Sequence, residues 1–224
     1  MGESAAVPAG ALLAGSTAAV MVPDGAEDWL TPAERARADV LVRASDRADY
    51  VAAHILVRRC AALVLGTTPE GLTLVQRCPV CGRTGHGRPS LAEAPGLRLS
   101  LAHTRGYVAA VADAVDVAVD VEQLANRARA REVAGSVLAP AEHDLVRASA
   151  DPGEAFTRLW VRKEALVKLG EVSLDTLPEV DLSMAACDRA RWHGYAVLGW
   201  AAADGQVLGA VVGRRVPELV RFLD

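Results

Sequence analysis

Between Val115 and Glu122 the chain alternates without a break, Val115, Val117, Val119 and Val121 against Asp116, Ala118, Asp120 and Glu122. A strict period of two over this length is the signature of a β-strand with one apolar face, and it also fixes where two acids point. Side chains two apart on a strand share a face, with Cα atoms about 6.6 Å apart, so Asp120 and Glu122 project side by side. Upstream, residues 97–103 and 106–112 flank a turn at Thr104-Arg105 and read as partner strands. Downstream, residues 195–200 and 207–212 flank Asp204-Gly205, a hairpin signal.

Helix signals are interspersed with these strands. Thr31-Pro32-Ala33-Glu34 is a capping box with proline at the first helical position. Ser45-Asp46 opens a second helix, in which Val51, Ala52, Ile55, Leu56, Ala62 and Leu63 keep helical spacing until Gly66. Pro140 opens a third with Glu142 in its first turn. Asp151-Pro152-Gly153-Glu154 opens a fourth, whose apolar face is Phe156, Leu159, Trp160 and Val167 and whose stop is Gly170. Residues 78–89, rich in Cys, Gly, Pro, Arg and His, show no apolar period and read as an ordered loop. Helices and antiparallel strands in both halves indicate the α+β class.

Composition excludes several function classes. Of 224 residues, 51% are hydrophobic and 23% charged, which rules out wholesale disorder. A net charge of -4 leaves no global basic field for nucleic acid. The apolar stretch at 9–22 is interrupted by Gly15, Ser16 and Thr17, too short for a membrane span, and no Lys or Arg precedes it as in a signal peptide. A cytoplasmic protein is expected. Four cysteines make no disulfide framework. Cys78 and Cys81 form half of a zinc knuckle, with His86 as a candidate third ligand and Cys60 or Cys187 as a distant fourth. A closed site needs four ligands and no second CxxC is present, so reduced cysteine is the simpler reading.

Asp120 and Glu122 alone read either as solvated acids or as a Mg²⁺ pair, since Mg²⁺ is usually held by one or two carboxylates with water and substrate phosphate. The helix beginning at Asp151 tips the balance. Trp160, Glu164 and Lys168 fall at i, i+4 and i+8, so an aromatic, an acid and a base line one flank. His103 ends a strand and reads either as a phosphate contact or as a partner of the turn backbone, and Arg88 in His86-Gly87-Arg88-Pro89 reads either as ordinary loop charge or as a fork-shaped phosphate clamp.

In this order the pieces resemble the surfactin-type 4'-phosphopantetheinyl transferases. His86-Gly87-Arg88-Pro89 is similar to the family's Gly-Lys-Pro loop and Ser100 to Thr104 to its Asn-x-Ser-His-Ser strand end. Val117 to Glu122 is similar to the Asp-x-Glu strand and Trp160 to Lys168 to the W-x-x-K-E-x-x-x-K helix. The resemblance implies transfer of 4'-phosphopantetheine from coenzyme A to a serine of an apo acyl or peptidyl carrier protein, with release of 3',5'-ADP. Asp120, Glu122 and Glu164 would hold Mg²⁺. Lys168 would contact the phosphates and Glu164 would be first candidate for the proton from the serine. Arg88, Pro89, His103 and Thr104 would grip the coenzyme A nucleotide, with Arg37 and Arg58 near its 3'-phosphate. Glu142 matches a further family acid, suited at a helix N-terminus to orienting charge. Arg127, Arg129 and Arg131 are candidates for receiving an acidic carrier.

The implied fold is a pseudo-dimer of two similar α+β halves, antiparallel sheets packed with helices, divided as 1–117 and 118–224, in a monomer. Ser100, Ala102, Ala118 and Glu171 depart from the family pattern. They motivate two other readings: a catalytically impaired module that binds carrier proteins, and a zinc-ribbon interaction protein. Retention of Asp120, Glu122, Glu164 and Lys168 together favours the enzyme.

Overall fold

The computed structural model describes residues 8–20, 25–77, 82, 84–125, 127–185 and 187–223. In chain order its principal elements are β1 (Gly10–Ser16), α1 (Pro32–Asp39), α2 (Ala44–Leu65), β2 (Leu74–Arg77), β3 (Thr84–Leu91), β4 (Arg98–Thr104), β5 (Tyr107–Asp113) and β6 (Val117–Gln123). There follow α3 (Arg127–Val137), α4 (Pro140–Ala148), α5 (Pro152–Leu169), β7 (Arg189–Trp192), β8 (Tyr195–Ala201), β9 (Val207–Gly213) and β10 (Leu219–Leu223). The chain forms two compact units. One contains the chain up to Leu101, Arg105–Val115 and the chain from Pro217; the other contains Ala102–Thr104 and Asp116–Val216.

The first unit is built on a four-stranded sheet ordered β10-β1-β5-β4. β1 is buried along nearly its whole length, and a strand buried on both faces reads as a continuous apolar run. This is the stretch whose composition resembles a signal core. It pairs antiparallel with β5 and parallel with β10, so the sheet is mixed, where antiparallel pairing alone was expected. The chain's last strand thus belongs to the first sheet, not to the second half. Gly15 is required by that pairing: a Cβ there would meet the Leu223 carbonyl oxygen at 2.2 Å.

The long α2 packs on β5 and β1, burying Ala52, Leu56, Val57 and Ala61 against Val108, Ala110 and Leu13. Its N-cap is Arg43, so Ser45 and Asp46 lie inside the first turn, and Gly66 closes it in the left-handed region. Thr31 and Glu34 form the expected capping box at α1. Of the residues 78–89 expected as loop, 84–89 lie in strand β3, which pairs with β2 with Pro89 opposite Gln76 and a register shift at Gln76/Arg77. A two-stranded ribbon tolerates proline because its outer edge needs no ladder donor.

The second unit carries an antiparallel sheet ordered β6-β9-β8-β7. α5 lies across β6 and β9, with Leu159, Ala165 and Leu166 against Ala118, Val197 and Val212. Because Ala118 faces α5, the period of two brings Asp120 and Glu122 to the same covered face. No helix among the described residues is long and apolar enough to cross a membrane.

Candidate active site

The centre of the second unit's site is Asp120, 6% exposed. Lys168 reaches it from the last turn of α5, where Nζ donates to Asp120 Oδ1 at 2.8 Å and to the Val119 carbonyl at 3.2 Å. The other oxygen, Asp120 Oδ2, is buried and receives no hydrogen bond from the described residues. Burial pushes the Asp120 carboxyl above its usual range, against the Lys168 charge and hydrogen bonds from Lys168 and the Val121 N–H.

Glu122, two residues on, is also pushed up, by burial first and then by the Asp120 charge. The Trp160 indole N–H opposes this by donating to its carboxylate, while Glu164 adds to the upward push and Lys168 opposes it. Glu164 is raised by burial and by Asp120, again against Lys168. The structure therefore brings Trp160, Glu164 and Lys168 of α5 to Asp120 and Glu122 of β6, with Asp120 buried and Glu122 half-buried.

The arrangement is anchored from α5. A Cβ on Gly153 would meet the Ala125 carbonyl oxygen at 2.2 Å, so only glycine lets the segment after β6 lie this close to the helix. Thr157 Oγ1 accepts from the Ala125 N–H at 3.0 Å and donates to the Gly153 carbonyl at 2.8 Å. Beside Glu122 opens a pocket of about 440 Å³, lined by Trp160, Phe156, Thr157, Val133 and Val137. Its α3 wall went unread in the sequence, where the arginines of that segment mask the apolar Val133 and Val137.

The site fits a divalent cation in charge and in its orphaned acceptor. Asp120, Glu122 and Glu164 raise one another or are raised by burial, and Lys168 is the cation acting on all three. A buried oxygen with no donor, inside a cluster of like charges, is a position that a hard cation satisfies. However, no three His, Cys, Asp or Glu side chains among the described residues are already drawn together as a metal cage. The convergence of three carboxylates expected from the resemblance is thus not closed in this structure, where Lys168 is bonded to Asp120.

Several expected roles change. Arg58 is fully buried: its Nη1 and Nη2 donate to the two oxygens of Glu34 at 3.0 and 2.7 Å, Nη1 also to the His54 carbonyl, and Nε to the Leu72 carbonyl. It fastens α2 to α1 and is out of reach of a phosphate in solvent. Burial pushes Glu34 up, but the Arg58 bonds and charge and the Thr31 N–H outweigh it, and its carboxyl lies below the usual range. Glu142, expected to orient charge at the site, is fully buried and paired with Lys163 at 2.7 Å.

Arg37 is exposed on α1. Arg88 and Pro89 sit half-buried on β3, on a strand where a loop was expected. His103 is exposed and Thr104 half-buried at the end of β4. Cys60 is sealed in the first core, its Sγ donating to the Ala110 carbonyl and its thiol pushed up by burial to about 12, so it is no zinc ligand. Cys78, Cys81 and the side chain of His86 lie outside the described residues, as do the side chains of Arg127, Arg129 and Arg131 on α3.

No curated protein matches the chain. Residues 116–206, which run from the start of β6 through α5 to the β8–β9 turn and carry the whole acidic cluster, match the family model of the 4'-phosphopantetheinyl transferase superfamily, a match that supports phosphopantetheine transfer as the general activity.

Proposed function

We propose that the chain transfers 4'-phosphopantetheine from coenzyme A to a serine of an apo carrier protein, of the acyl or peptidyl kind used in polyketide and nonribosomal peptide assembly, with Mg²⁺ required. The observation that carries this reading is the buried, donor-free Oδ2 of Asp120 among carboxylates whose protonation is raised. Like charges gathered in a buried site cost stability, and carboxylates perturbed by burial and by one another cluster at functional sites. Asp120, Glu122 and Glu164 would hold the ion. When bound, it would neutralise charge on the pyrophosphate of coenzyme A and on the departing 5'-phosphate oxygen.

The chain's own residues supply the rest. The serine oxygen bonds to the β-phosphorus, the bond from that phosphorus to the bridging oxygen breaks, and 3',5'-ADP leaves with the electron pair. Glu164, a stronger base than an ordinary glutamate because burial and Asp120 raise its pKa, takes the serine proton. Lys168 presents fixed positive charge beside Asp120, where phosphate oxygens would gather. Trp160 opposes the upward push on Glu122 through the indole N–H. Arg37, Arg88, Pro89, His103 and Thr104 would contact the nucleotide, and the two units would be similar halves of one monomer. The test is intact-protein mass spectrometry of an apo carrier domain incubated with coenzyme A and Mg²⁺. A mass gain of one phosphopantetheine, lost with EDTA and in E164Q, is expected; no gain across several carriers rejects transfer in favour of carrier binding alone.

A further inference from the structure

A group of like charges of the opposite sign lies on the face of the second sheet that points away from α5. Val197 and Val212 pack into the α5 core with Ala190 against them, so by the period of two their neighbours Arg189, Arg191, Ala196 and Gly213 turn to the other face. Strand register sets three of these in one row: Arg191 of β7 pairs with Ala196 of β8, and Ala196 with Gly213 of β9. Two small residues side by side leave a hollow between Arg191 and the segment that follows β9. Arg215 stands on that segment, whose backbone is anchored where the Arg214 N–H donates to the Asp116 carbonyl at 3.0 Å and the Arg214 Cζ lies 4.3 Å from the centre of the Tyr195 ring. The result is an open groove of about 480 Å³, with Arg189, Arg191 and Arg215 around Ala196, Val197 and Val216.

No acid stands among the described residues that line this groove. Arg189 and Arg191 are exposed, and neither guanidinium is held by a hydrogen bond or ion pair to a described residue. Asp188, next in the chain, is paired with Arg158 of α5 at 2.6 Å. Two apart on one strand, Arg189 and Arg191 have Cα atoms about 6.6 Å from each other, so their charges repel while an acid set between them is drawn to both. The chain as a whole has a net charge of -4, so this cluster is not a by-product of basic composition. Arginine's planar fork matches carboxylates, and an open groove with an apolar floor offers a protein surface more contact than it offers a small ion. We propose that the groove docks an acidic segment of a partner protein, with one apolar side chain seated over Ala196 and flanking carboxylates on Arg189 and Arg191, under the added charge of Arg215. An apolar anchor bordered by arginine contacts is the composition that protein interfaces favour. The surface lies on the other side of the sheet from Asp120 and Glu122, and the proposal does not depend on phosphopantetheine transfer.

The test is a ¹H–¹⁵N titration of the full chain, without coenzyme A or divalent cation and at constant ionic strength, with a short synthetic peptide in which one leucine is flanked on both sides by glutamates. Saturable shifts of the amides of Arg189, Arg191 and Arg215 are expected. Affinity should fall about tenfold or more in R189Q/R191Q, and likewise when glutamine replaces the peptide's glutamates, as loss of charge-assisted hydrogen bonds requires. Replacing the leucine by serine should also weaken binding, because the hollow then stays unfilled. Both arginines are exposed and unheld, so the double variant keeps the fold, which an unchanged thermal midpoint verifies. Absence of saturable shifts, equal binding by R189Q/R191Q, or equal binding of the serine peptide overturns the proposal. So does a duplex oligonucleotide that displaces the peptide and binds more tightly, which would assign the arginines to nucleic acid.

Discussion

Replacing Lys163 by methionine removes one charge from the most completely buried ion pair in the second unit. Lys163 and Glu142 are both fully buried, and Nζ lies 2.7 Å from Glu142 Oε2 and 2.7, 2.8 and 2.7 Å from the carbonyls of Val137, Leu177 and Val180. Burial lowers the lysine against the pull of Glu142. Methionine fills the stem but leaves three carbonyls and a carboxylate without their cation. The carboxylate keeps the N–H groups of Ala139 and Leu182, at 2.7 and 2.8 Å. Breaking a buried pair from one side costs about 3–5 kcal/mol, so a loss of about 4 kcal/mol is expected. With a urea slope of about 2–3 kcal/mol/M, the midpoint moves down by about 1.3–2 M.

Tryptophan fluorescence reads this unit well, because Trp160, Trp192 and Trp200 lie in it and Trp29 does not. The double variant E142Q/K163M removes the stranded charge and is expected to recover about 2 kcal/mol of the loss. A K163M chain within about 1 kcal/mol of the parent would refute the reasoning, as would a double variant whose loss is the plain sum of the two single losses.

Three further outcomes follow from the site. Asp120, Glu122 and Glu164 all have folded pKa values above their unfolded ones, so the folded chain binds more protons between the two values. In the absence of divalent cation their contribution to stability therefore falls as pH rises through that window, and D120N should flatten the slope in pH-dependent urea melts while lowering transfer about 100-fold or more. W160F removes the indole donor that holds Glu122 down, so the acid limb of kcat/KM should move to higher pH; an unmoved limb would show that Glu122 does not titrate in the reaction. G153A forces a Cβ to within 2.2 Å of the Ala125 carbonyl and should cost about 1–3 kcal/mol, read by thermal unfolding, with KM for the carrier disturbed through the segment after Glu122.

Much of the fold is legible because its signals are local. The Thr31 and Glu34 box, the glycine stops at Gly66 and Gly170, and the alternation leading into β6 each specify backbone geometry from neighbouring residues. What escapes a local reading is what other segments create. β1 shows no alternation because both of its faces are covered, and β10 is a strand of five residues whose pairing with β1 spans nearly the whole chain. Ribbon β2–β3 hides behind glycine and proline, which count against a strand until an edge position makes them harmless.

The acids and bases of the site divide along the same line. Lys163 and Lys168 stand on one helix, five residues apart, and Arg58 and Arg37 are both basic positions on N-terminal helices. Residue type and spacing give each pair the same promise. Packing separates them: Lys163 is enclosed by three carbonyls and Glu142, and Arg58 by Glu34 and two carbonyls, whereas Lys168 keeps a third of its side-chain surface open beside an unsatisfied carboxylate oxygen. A cation can serve a phosphate only if part of its side chain stays within reach of solvent, and that condition depends on partners brought from α1, α4 and β6. It is therefore a property of the tertiary structure, which no motif of four residues in sequence can encode.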